Sequence, residues 1–82
     1  MYYVYILQSV SEGKYYIGST RDVTQRIARH NAGMVPSTKR YCPWELIYSE
    51  VFNTLSEARH REEEIKAWKN QKYMVKTLGL NA

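Results

Sequence analysis

At 82 residues, twelve basic against eight acidic, the chain has room for one domain with a thin core and carries a net charge of +4. The sequence pI near 9.3 suits a polyanionic partner. One cysteine, Cys42, excludes an internal disulfide and fits a reducing cytoplasm.

Two histidines, His30 and His60, are too few for a zinc cluster. No apolar run approaches the roughly 20 residues of a membrane span, and no basic stretch followed by an apolar one suggests a signal peptide.

Residues 2–9 (YYVYILQS) are aromatic and β-branched and predict a strand. Ser11-Glu12-Gly13-Lys14 supplies turn chemistry, and residues 14–19 (KYYIGS) read as the returning strand of a hairpin. Five of the eight tyrosines fall in the first 16 positions, and a buried tyrosine hydroxyl needs a partner. Strand alternation puts Tyr3, Tyr5 and Leu7 on one face and Tyr2, Val4 and Ile6 on the other. If the hairpin register pairs them, Tyr16 and Gly18 share the Tyr5 face, with the glycine admitting a group that approaches closely. Tyr2 and Tyr15, on the opposite face, are expected in the core.

Asp22 with Gln25 resembles a capping box and starts a helix over about 23–31, which Gly33 stops. Residues 33–43 form a loop carrying Lys39, Arg40 and Tyr41, and 44–52 (WELIYSEVF) read as a third strand. Thr54 with Glu57 opens a longer helix predicted to run to about Lys69. After Asn70-Gln71, a short last helix carries Met74, Val75 and Leu78. The elements add up to an α+β fold in ββαβαα order. Trp44 and Trp68 are expected as apolar anchors.

Helical geometry sorts the charges. At about 100° per residue, Arg26 and His30 border the arc set by Val23 and Ile27, one turn apart. On the longer helix Glu62 falls between Leu55 and Ala58, inside the arc that Ile65 also marks, while Glu57, Glu63 and Glu64 lie elsewhere. A carboxylate facing a core must be paired or bound to something. Either an ion pair with Arg26 or a metal would satisfy it. The 39–41 loop and the lysines Lys66, Lys69, Lys72 and Lys76 offer a basic surface; Lys39, Arg40, Lys66 and Lys69 are the candidate nucleic-acid contacts.

Tyr3-Val4-Tyr5 and Tyr16-Ile17-Gly18 resemble the paired signature of the GIY-YIG endonucleases. Arg26, His30 and Glu62 fall in the order of that family's other motifs, and the likeness runs from residue 3 to about 78. The chain looks closest to the family's small stand-alone members, relatives of the nuclease domain of structure-specific endonuclease subunits. Tyr3 and Val4 replace the first glycine and isoleucine of the signature, and Thr38-Lys39 stands where relatives often carry threonine and arginine.

The resemblance implies a small antiparallel sheet flanked by helices and a divalent metal, magnesium or alternatively manganese, bound by Glu62. It also implies catalytic roles for Tyr5, Tyr16, Arg26, His30 and Glu62. Tyr5 and Tyr16 would position phosphate and water, with one of them or neither as the general base, Arg26 would stabilise developing charge, and His30 could accept a tyrosine's proton. Cys42 has no neighbouring base and is not a nucleophile. Three readings follow: a DNA endonuclease in repair or processing of structured DNA, a nucleic-acid-binding module with lost catalysis, or a subunit whose protein partner supplies specificity.

Overall fold

The computed structural model describes residues 1–68 and 70–80. Strand β1 (Tyr2–Ser9) lies at the centre of a three-stranded antiparallel sheet, flanked by β2 (Tyr15–Thr20) and β3 (Trp44–Phe52) in the order β2-β1-β3. The position of β1 explains its composition. Val4, Tyr5, Ile6 and Leu7 are all buried, because layers cover both faces of the strand. A half-exposed strand would have alternated.

Each face has its own cluster. Val4 and Ile6 pack with Ala58 and Ile65 of helix α2 (Leu55–Lys66) and Met74 of helix α3 (Gln71–Thr77). As expected, Tyr2 and Tyr15 pack against this cluster. On the other face Tyr5, Leu7 and Trp44 form a second cluster, closed by Tyr16 and by Val23 and Ile27 of helix α1 (Val23–Asn31). A bulge opposite Ile6 and Leu7 shifts the β1–β3 register, so Leu7 faces Leu46 while Ile6 faces Tyr48.

The caps follow the sequence with two differences. Thr54 and Glu57 form a full capping box on α2, but Asp22 caps α1 alone, its carboxylate accepting from the Gln25 backbone N–H. Gly33, at φ +74, ends α1 as expected: its N–H bonds the His30 carbonyl and the Met34 N–H bonds that of Arg29. Helix α2 stops at Lys66, not near Lys69. The chain turns there so that Trp68 packs on the first cluster and α3 brings Met74 back to it. The 33–43 loop contains a short 3-10 turn, Lys39–Tyr41. No helix among the described residues is long and apolar enough to cross a membrane.

Candidate active site

The site begins with the hairpin register. Tyr5 pairs with Gly18 and Leu7 with Tyr16, so the Tyr5 ring crosses the bare backbone of Gly18 and lies beside Tyr16, ring centroids 6.2 Å apart. A Cβ on Gly18 would sit 2.6 Å from the Tyr5 hydroxyl oxygen. The glycine is therefore required by the tyrosine.

That hydroxyl lies 3.1 Å from His30 Nε2, and His30 Nδ1 lies 2.8 Å from Thr38 Oγ1. The Thr38 hydroxyl donates to the Val35 carbonyl, which makes its oxygen the acceptor for Nδ1–H. Nε2 is then left without a proton and accepts from the Tyr5 O–H. His30 is fully buried. Its pKa is lowered, chiefly by burial and then by the charges of Arg26 and Arg29, which favours this neutral form. The Tyr16 ring lies against the imidazole with centroids 4.7 Å apart and planes inclined by 60°.

The frame around His30 is equally determined. The Trp44 indole N–H donates to the Thr38 carbonyl, and the Cys42 thiol donates to the His30 carbonyl. Trp44 is thus an anchor, as expected, and Cys42 is already engaged. The Asn31 side chain clamps Trp44 at both backbone groups, accepting from its N–H at 2.6 Å and donating to its carbonyl at 3.0 Å. This clamp ties the end of α1 to the start of β3.

Burial pushes the Tyr5 hydroxyl well above its ordinary pKa; Tyr16 and Glu62 add to the rise, while Arg26 opposes it. The half-buried Arg26 and the carboxylate of α2 thus act on the same oxygen from two layers of the fold.

Glu62 forms no ion pair with Arg26. One of its oxygens accepts from the Ser19 hydroxyl at 2.7 Å, and the other meets the Lys66 ammonium at 2.5 Å. Its neighbours are tied down separately, since Arg61 holds both Glu50 (3.0 Å) and Glu64 (2.6 Å) while lying over the Trp68 ring.

Of the sequence-predicted residues, Tyr5, Tyr16 and His30 are brought together on the α1 face of the sheet, Glu62 meets Ser19 of β2 from the α2 layer, and Arg26 lines a groove with that serine. Lys39 and Arg40 are exposed in the 3-10 turn. Lys66, expected on a nucleic-acid surface, is exposed and also pairs with Glu62, because i,i+4 spacing on α2 brings the two together. Lys69 lies outside the described residues. Sequence reasoning missed Thr38 and Ser19 as partners of the site. A threonine buried within a basic loop is a faint signal, and the pairing of Ser19 with Glu62 spans 43 residues.

Among the described residues no group of three or more His, Cys, Asp or Glu could enclose an ion. Glu62 is one carboxylate, 18% exposed, and its lysine partner is 51% exposed. Such a surface pair is worth about 0.3–0.5 kcal/mol, so a divalent ion could displace the lysine. A single carboxylate fits magnesium, which keeps most of its waters and uses substrate oxygens to complete its shell.

Residues 1–74 match the GIY-YIG catalytic domain. UPF0213 proteins of Staphylococcus saprophyticus and Staphylococcus aureus are each 42% identical over 72 residues, covering 87% of both chains. The solution NMR structure of the UPF0213 protein BH0048 from Bacillus halodurans is similar with a TM-score of 0.53 at 35% identity, covering 88% of this chain and 78% of that one. The chain belongs to the GIY-YIG family, a superfamily of nucleases that act on DNA.

Proposed function

We propose that this protein is a metal-dependent DNA endonuclease acting in the cytoplasm on structured or damaged DNA. The observation that carries the reading is the hydrogen-bonded path from the Tyr5 hydroxyl through His30 to Thr38, with Arg26 lining the groove beside Ser19, whose hydroxyl Glu62 holds.

Phosphodiester hydrolysis requires that the attacking water lose a proton while charge builds on the phosphorus oxygens. A free tyrosinate is a poor candidate for the base, since burial raises the Tyr5 pKa. A relay avoids it. Tyr5 is buried in the free protein, so the relay requires substrate binding to admit water to its oxygen. The Tyr5 O–H then passes its proton to His30 Nε2 as the oxygen takes one from water, so tyrosine stays neutral and the imidazole becomes charged. Thr38 supports this role by holding Nδ1–H and keeping Nε2 the acceptor. Burial disfavours the charged imidazole, and the incoming phosphate anion would offset that penalty.

Arg26 would neutralise the phosphorane, and Tyr16 would position the phosphate against the imidazole. Glu62 would hold magnesium, with manganese an alternative, and the bound ion would supply charge neutralisation and help the leaving oxygen. The test is cleavage of a labelled panel (single-stranded, duplex, flap and branched DNA, plus RNA) with Mg²⁺, Mn²⁺ or EDTA. Metal-dependent cutting supports the reading and names the preferred substrate. Binding without cutting under every condition favours the binding module, and cutting that needs a co-purifying protein favours the partner-dependent subunit.

A further inference from the structure

Two basic clusters flank the candidate site along the outer edge of β2. At one end, Arg21, Arg26 and Arg59 line a single groove with Ser19. Ser19 is the residue that donates to Glu62, so the groove opens directly beside the site. The Arg21 guanidinium lies over the Tyr2 ring at 5.6 Å. The groove's one carboxylate, Asp22, accepts a backbone N–H as the cap of α1.

At the other end, Tyr41 carries two cations. The Lys14 ammonium lies 4.9 Å and the Arg40 guanidinium 5.9 Å from its ring centroid. Lys14 and Arg21 bracket β2, which is an edge strand because β1 occupies the centre of the sheet. At about 3.3 Å per residue, the seven steps from Lys14 to Arg21 make roughly 23 Å. One strand of a duplex advances about 3.4 Å per nucleotide, so about seven nucleotides span that distance. Cations over aromatic rings at both ends form the combination that tracks a phosphate backbone and stacks bases.

We propose that a nucleic-acid strand lies along the β2 edge, held by Arg21 and Arg59 at one end and by Lys14 and Arg40 at the other, with the Tyr5–His30 pair and Glu62 between them. The proposal rests on the nuclease reading and gives it a substrate path. The arginine forks suit phosphate oxygens, and a regular phosphate ladder engages both clusters at once.

The experiment measures binding, not cleavage. Glu62→Gln protein in EDTA is titrated by fluorescence anisotropy against labelled single-stranded and duplex DNA at several salt concentrations. Arg21→Gln/Arg59→Gln and Lys14→Gln/Arg40→Gln are each expected to weaken binding about tenfold. Each should also flatten the log–log salt slope by about 1.4 on single strands or 1.8 on duplex, the value for two lost phosphate contacts. Lys72→Gln/Lys76→Gln on α3, which removes the same charge elsewhere, is expected to change binding less than about twofold. All six side chains are exposed, so the variants should fold, which circular dichroism checks.

Equal losses in the α3 control would overturn the path in favour of net charge alone. Unchanged binding in both edge variants, with the parent still cutting DNA, would overturn the path and leave the nuclease reading intact. Edge-specific loss in a parent that cuts nothing would keep the path and remove the nuclease.

Discussion

Gly18 has no side chain because Tyr5 occupies the space: an added Cβ would lie 2.6 Å from the tyrosine oxygen and 2.8 Å from the ring carbon bearing it. Tyr5 is fully buried and cannot swing aside. Gly18→Ala should therefore move the hydroxyl away from His30. A cost of about 1–3 kcal/mol is expected for such overpacking, visible in thermal melts, together with at least a tenfold loss of cleavage. An alanine variant with parental stability and activity would mean that the pair tolerates displacement.

Tyr5→Phe and Thr38→Val probe opposite ends of one path. The phenylalanine leaves His30 Nε2 buried without its donor, a cost of about 1–3 kcal/mol, and should lower cleavage by about 10²–10⁴-fold. The valine removes the acceptor that fixes the imidazole tautomer, so it should lower the rate at saturating substrate more than it weakens DNA binding. A Thr38→Val protein with a normal rate would remove Thr38 from the mechanism.

The legible part of the site was the part governed by local periodicity. Alternation of two placed Tyr5, Tyr16 and Gly18 on one face, and helical spacing turned His30 and Glu62 inward. What stayed hidden depends on contacts between distant segments. Nothing near Thr38 marks it as the partner of His30, which sits eight residues away across the α1 cap. The helical pattern marks Glu62 as an inward carboxylate needing a partner, and the structure shares that role between Ser19 on β2 and Lys66 on its own helix. The end of α2 was overrun because the lysines continue the helical pattern, whereas Trp68 is drawn back to the core.

The buried imidazole sets a pH dependence. An unfolded histidine takes up a proton below about 6.5, while folded His30 resists protonation because burial and the charges of Arg26 and Arg29 lower its pKa. The unfolded state binds more protons in that interval, so stability should fall as pH drops below about 6.5. Above that range His30 contributes no slope. Melting temperatures from pH 8 to 5 should decline more steeply for the parent than for His30→Gln; parallel curves would contradict the assignment.

The Asn31 clamp on Trp44 makes a prediction about architecture. Asn31→Ala leaves the Trp44 N–H and carbonyl without their partner and loosens α1 from β3. A loss of about 1–3 kcal/mol is expected in denaturant unfolding. Asn31→Asp, which keeps the acceptor and removes the donor, should recover part of it.

Under the proposed function Glu62 serves a divalent ion and Lys66 only holds its place. The most direct measurement is single-turnover cleavage across a Mg²⁺ titration for the parent, Glu62→Gln and Lys66→Met, with Mn²⁺ binding followed by electron paramagnetic resonance. Glu62→Gln should fold, lose ion binding and lose cleavage, while Lys66→Met should bind the ion at least as tightly as the parent. A Glu62→Gln protein that cuts DNA with the parent's metal dependence would contradict the account.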